Sequence, residues 1–184
     1  MLQKRCFCLN NKNNKFIKEC IVKSLVSLMK EKEFKDISIT EITKKAGVSR
    51  MTYYRNYNFK EDILNDYMTT LIEDYKSKRE ENKGNPYLLI LNAFEFFKNN
   101  KDFVIALEKS NLSNVIQNKI NDYMVVFYPE TKTNIESRYK LYILSGALYN
   151  TCKMWLLNGL KEDSTLLAKI FVDRLFNNSN KYIN

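Results

Sequence analysis

The sequence predicts an all-α chain of about nine helices, on three observations. Only 4 glycines and 2 prolines fall among 184 residues, which favours long uninterrupted helices over tight turns. Apolar residues recur at three- and four-residue steps, the spacing of one helical face. Helix-start signatures precede the periodic runs: Ser38 with Glu41, Asn58 with Glu61 and Thr133 with Glu136 are polar caps with an acid three residues on.

Residues 1–12 read as a disordered Lys/Asn-rich tail. Cys6 and Cys8 form a lone C-x-C there, and with Cys20 and Cys152 they make no zinc or disulfide spacing, so reduced thiols are expected. Lys15 to Lys32 is the first helix, with Phe16, Ile17, Ile21, Leu25, Leu28 and Met29 on one side. EKEFKDI is an irregular connection. Ser38 then caps a short helix to Lys45, whose apolar face is Ile39, Ile42 and Ala46. A turn follows at Ala46–Val48. Gly47 there tolerates the positive φ that a helix needs to stop and restart at an angle. Ser49 caps the next helix at once, to Asn56. Two short helices joined this way form a helix-turn-helix.

The remaining helices follow from the same rules. Asn58 to Asn82 is long and carries Ile63, Leu64, Tyr67, Met68, Leu71, Ile72 and Tyr75 on one side. Gly84-Asn85-Pro86 breaks it, and Asn85 as cap with Pro86 in the first turn opens a helix through Asn99. Helices are expected at Asp102–Ser110 and Ser113–Tyr128, the latter stopped by Pro129. Another runs from Thr133 to about Asn158, and Ser164 opens the last, to Asn177. The chain divides at residues 13–60 and 61–184.

Composition narrows the function. Hydrophobic residues make up 45%, enough for a sizeable core. No apolar run matches a membrane span or a signal peptide, so a cytoplasmic location is expected. Histidine is absent, which removes the usual general acid–base group and the commonest metal ligand. There is no Gly-rich phosphate loop and no G-x-S-x-G; no cofactor, metal or catalytic site is implied. The net charge is +9, and all of it lies in residues 1–60; residues 61–184 balance to zero. A basic head on a neutral body points to a polyanion at one face.

The stretch DISITEITKKAGVSRMTYYRNYNFKEDIL, within a match from about Phe16 to Leu64, resembles the DNA-binding signature of the TetR/AcrR family of bacterial regulators. The matching features are the Ser cap, Ile42, Ala46-Gly47-Val48-Ser49, Thr52, Tyr54, Tyr57, Lys60-Glu61 and Leu64. Two departures occur: Phe59 stands where the family has a small polar residue, and Asn56 where relatives often have His. The resemblance implies a three-helix helix-turn-helix domain followed by a helical ligand-binding and dimerisation domain. It implies double-stranded DNA with a roughly palindromic operator as partner, a homodimer, and a repressor released by a small molecule. An activator of the same fold, a non-specific DNA binder and a helical protein-binding adaptor are the rival readings.

The DNA-contacting residues would be Ser38, Thr40, Ser49, Arg50, Met51, Thr52, Tyr53, Tyr54, Asn56 and Lys60. Arg50 could grip guanine O6 and N7 or hold a phosphate. Thr52 could offer its methyl to thymine or its hydroxyl to phosphate, Met51 an apolar contact, and Tyr53 could face the groove or the core. By resemblance Tyr54 and Lys60 hold phosphates, and Thr40 touches the backbone. In the body, the family pairs its last two helices across the dimer. Gly146-Ala147 is a flat spot there, and Leu166, Leu167, Ile170, Phe171 and Leu175 form a stripe that faces a partner or the chain's own core. A ligand pocket would draw on Phe94, Phe97, Phe103, Tyr123, Phe127, Tyr139, Tyr142, Tyr149 and Trp155, which could equally be core.

Overall fold

The computed structural model describes residues 14–82, 84–128 and 132–176, and among them all side chains but those of 77–81 and 127. The tail with Cys6 and Cys8, the stop at Pro129 and the expected end of the last helix at Asn177 lie outside the described residues. Those that are described form nine α-helices and no strand. They are α1 (Asn14–Met29), α2 (Ile39–Ala46), α3 (Arg50–Tyr54), α4 (Lys60–Glu81), α5 (Pro86–Asn99), α6 (Lys101–Lys109), α7 (Ser113–Phe127), α8 (Ile135–Leu157) and α9 (Ser164–Leu175). None is long and apolar enough to cross a membrane.

Packing follows the apolar faces. α1 lies on α2, α4 and α6, so it touches both the head and the body. Its buried side includes Ile21, Leu25, Leu28 and Met29, the face expected from spacing. α4 runs from the head to pack on α5 and α7. α5 is the centre of the body and meets α6, α8 and α9. At its middle Phe94 meets Trp155 edge to face, ring centroids 5.6 Å apart, and Phe171 at 6.3 Å. One continuous set of buried side chains joins head to body, from Ile42 and Tyr53 through Met68 and Phe103 to Trp155.

Four local expectations are corrected. The connection EKEFKDI contains a 3-10 turn at Phe34–Asp36, because Phe34 buries itself. At the start of α4, Asp62 does the capping expected of Asn58 and Glu61: its Oδ2 accepts from the amides of Asn58 (3.0 Å) and Phe59 (2.8 Å). Asn134, not Thr133, caps α8, accepting from the Ser137 amide at 3.0 Å, while Glu136 pairs with Lys140 one turn on. Asp163 caps α9 through the Thr165 amide at 2.8 Å. Ser164 is inside, its hydroxyl donating to Glu95 at 2.5 Å. In each capping case a side chain of shorter or better-placed reach lies within a residue or so of the expected one.

Candidate nucleic-acid interface

The α2–α3 unit is fixed at three points. Ser38 closes a capping box: its Oγ accepts from the Glu41 amide at 3.3 Å, and Glu41 Oε2 accepts from the Ser38 amide at 3.0 Å. Lys32 reaches in from behind α1 and holds Glu41 Oε1 at 2.6 Å. That bond, with the Ser38 amide and hydroxyl, holds the Glu41 carboxyl down at about 2. Gly47 ends α2 at φ 69° and ψ 29°, where a side chain would be strained. Ser49 then caps α3, its Oγ accepting from the Thr52 amide at 3.0 Å and meeting the Thr52 hydroxyl at 2.9 Å.

α3 has an inner and an outer side. Tyr53 is inside, fully buried, against Tyr54 at 5.4 Å and Tyr57 at 6.0 Å. Burial pushes its phenol up to about 12. The expectation that Tyr53 contacts DNA is therefore corrected: it is the anchor that seats α3. Outside are Arg50, Met51 (70% exposed) and Tyr54 (55% exposed), at spacings that share one helix face. The Arg50 guanidinium donates to the Thr40 hydroxyl, which ties the start of α3 to the outer side of α2. Ser38, Thr40 and Ser49 are exposed beside them. Asn56 is half-buried and donates to the Thr52 carbonyl at 2.9 Å, closing the end of α3.

Lys60 is a second correction. Its Nζ donates to the carbonyls of Phe34 (2.6 Å), Lys35 (2.9 Å) and Ile37 (3.0 Å) and stands over the Phe34 ring. Three carbonyls saturate an ammonium's three donors, so none is left for a phosphate. The head's charge is also spent unevenly. Lys18, Lys30, Lys32, Lys35 and Lys45 pair with Asp66, Asp102, Glu41, Glu33 and Glu31. Lys44 and Arg55 are exposed cations of the same unit that motif reading passed over. Their signal was the basic excess of the head, with no pattern to single them out.

The body departs from the expected aromatic pocket. Phe94, Phe97, Phe103, Tyr123, Tyr149 and Trp155 are buried and pack on one another or on neighbouring rings. Trp155 Nε1 donates to the Glu162 carbonyl at 3.0 Å, and the Tyr149 hydroxyl to Glu108, which Lys153 also holds at 2.5 Å. Most of these residues are interior packing, while Phe103 also borders an open groove against α1 and Trp155 a smaller one beside Leu160 and Ser164. Tyr139 and Tyr142 are exposed on α8, away from that interior. The Phe127 side chain lies outside the described ones.

The expected dimer stripe splits. Leu166, Ile170 and Leu175 are exposed, Leu167 is half-buried, and Phe171 is buried against Phe94. Phe171 is thus core, a correction of its interface role. Gly146 and Ala147 are half-buried, and a Cβ added at Gly146 would meet nothing within 4 Å. Sequence reading missed their exposed neighbours on α8: Ile143, Met154 and Leu157. With Tyr139, Tyr142, Gly146 and the exposed polar Asn150 these recur at three- and four-residue steps along one face.

The described helices have the fold of solved transcriptional regulators, a TetR one among them. A TetR transcriptional regulator from Rhodococcus sp. RHA1 superposes with a TM-score of 0.57 at 17% identity, covering 90% of this chain and 98% of that one. Lin0861 from Listeria innocua superposes with a TM-score of 0.75 at 11% identity, covering 92% and 96%. In sequence, the uncharacterized HTH-type transcriptional regulator YerO of Bacillus subtilis is 29% identical over 104 residues, 52% of this chain. The match spans about a third, 36%, of that relative's length. No family model matches the chain.

Proposed function

We propose that the chain is a homodimeric transcriptional regulator that binds a roughly palindromic operator through α3 and acts as a repressor relieved by a small molecule in the cytoplasm. The observation that carries this reading is the outer side of α3. Arg50, Met51 and Tyr54 project from a helix whose opposite side is locked in the core by Tyr53. A recognition helix must be rigidly seated yet bare on one side, since base edges are read by side chains already in place. Arg50, Met51 and Thr52 would read bases. Thr40, Tyr54, Lys44 and Arg55 would hold the backbone, with Ser38 and Ser49 offering helix-start groups to phosphate. The head is residues 13–60, and the body 61–184 carries the dimer and the control.

The exposed apolar face of α8 and α9 supports a two-fold dimer, which would set two α3 helices about one turn of DNA apart or slightly more. Titration of the chain against its own upstream DNA and against random DNA, at two salt concentrations, tests the reading. Operator binding should exceed random binding by 10³-fold or more, as specific sites typically do. Equal affinity for both would replace it with non-specific packaging, and no binding to either with a protein-binding role. A reporter behind the bound site separates repression from activation.

A further inference from the structure

An open groove of about 300 Å³ lies where α1 meets the corner between α5 and α6. Its floor is apolar: Val22 and Val26 from α1 and Phe103 from α6, with Tyr67 of α4 stacked edge to face on Phe103 at 4.9 Å. Its rim is cationic. Lys23 comes from α1, Lys30 from the turn just after it, Lys98 from the end of α5 and Lys101 from the start of α6. The lining holds a single carboxylate, Asp102, which Lys30 engages at 2.8 Å. Glu95, just outside, makes a 3.4 Å pair with Lys98 and accepts the buried Ser164 hydroxyl.

With Asp102 on Lys30 and Glu95 on Lys98, the four ammonium groups still outnumber the carboxylates and leave a net positive rim over an apolar floor. Like charges held together are costly, and an anion at the rim relieves that cost. The volume is at the low end of small-molecule sites. We infer that this groove binds a small amphipathic anion, with a phosphate or carboxylate head among the lysines and a short apolar tail on Val22, Val26 and Phe103. The groove opens at the edge of the aromatic interior, with which it shares Phe103. It also sits on the joint between head and body. A head group that draws Lys30 competes with Asp102, and so loosens an ion pair tying the turn after α1 to α6. Coupling to the operator depends on the DNA-binding reading above; occupancy of the groove does not.

The test is calorimetric titration of the full chain with octyl phosphate, in the absence of DNA. One saturable site per protomer is expected, weakened by added salt. Inorganic phosphate and octylamine at equal concentration should show none, since each lacks one half of the recognition. Replacing both Lys23→Glu and Lys101→Glu should weaken binding at least tenfold, and Ser27→Trp, which fills the groove from α1, should abolish it. Lys140→Glu on α8 should leave it unchanged. Absence of octyl phosphate binding, equal binding of octylamine, or binding that survives Ser27→Trp in a folded variant would each overturn the site. Added to a chain–operator complex, octyl phosphate should then lower DNA affinity for wild type and not for the Ser27→Trp variant. Binding without that effect would keep the site and remove only its coupling.

Discussion

Lys60 stands over Phe34: its ammonium is 4.6 Å from the ring centroid and 2.6 Å from the Phe34 carbonyl oxygen. With Lys35 and Ile37 accepting as well, one side chain ties the first turn of α4 to the link between α1 and α2. The ammonium does the work of a small clasp, holding the carbonyls of Lys35 and Ile37 together with that of Phe34, which also accepts from the Ile37 amide at 3.2 Å.

A clasp and a phosphate contact predict different measurements. Lys60→Met should lower stability by about 1.5–3 kcal/mol, the usual range for hydrogen bonds to a charged group. The loss is read as a fall in melting temperature. The dependence of DNA affinity on salt should keep its slope. Were Lys60 a phosphate contact, the slope of log K against log salt would fall by about 1, with little change in melting.

Arg50 is exposed, and its one partner given by the geometry is the neutral Thr40 hydroxyl. A guanidinium on a hydroxyl gives up little on moving to a base edge. Arg50→Ala should cost about 1–3 kcal/mol on the operator and far less on random DNA. Equal losses on both would assign Arg50 to phosphate. Thr40→Ala should weaken binding less, since Thr40 orients Arg50 rather than replacing it.

The head was legible because each of its features is local. The Ser38–Glu41 box, the positive φ of Gly47 and the Ser49 cap lie within a few residues of the groups they serve. What escaped was set by distant partners. Lys60 looks like a surface cation until Phe34, 26 residues earlier, is placed beneath it. Tyr53 and Phe171 sit at spacings that suit an outer face as well as an inner one, and only the core that closes over Tyr53 and the Phe94 ring beside Phe171 decide. The body's aromatics were ambiguous for the same reason: periodicity shows a face, not whether a ligand or another helix covers it.

The dimer reading puts the exposed face of α8 and α9 against its copy. Ile143 is 62% exposed and Ile170 49%, so charging them disturbs little inside one chain. Ile143→Glu with Ile170→Glu should convert a dimer to a monomer in sedimentation, with far-ultraviolet dichroism retained. Burying a charge at such an interface without a partner typically costs several kcal/mol, enough to raise the dissociation constant by 10²-fold or more. Phe171→Glu should instead unfold the body, since Phe171 meets Phe94 in the core. Dimers that persist in the double variant would place the interface elsewhere.

Acid should undo the start of α2 before it undoes an uncharged equivalent. The Glu41 carboxyl is held at about 2 by the Lys32 ammonium first, then by the Ser38 amide and hydroxyl. Its ordinary value is 4.5. A depressed folded-state pKa means the unfolded chain takes up the proton first as pH falls. The contribution of Glu41 is thus complete above about 4.5 and declines as pH falls towards about 2. Glu41→Gln keeps an oxygen for the Ser38 amide but has no charge for Lys32. Wild type should therefore melt above Glu41→Gln at pH 6, and the gap should close progressively between pH 4.5 and pH 2. High salt should narrow it at pH 6, because the pair is partly exposed. Because Glu41 is in the box that starts α2, operator affinity should fall over the same acid window in wild type and stay flatter in the variant. A melting gap that persists unchanged at pH 2 would show that Glu41 acts through packing, and that the Lys32 pair does not stabilise the head.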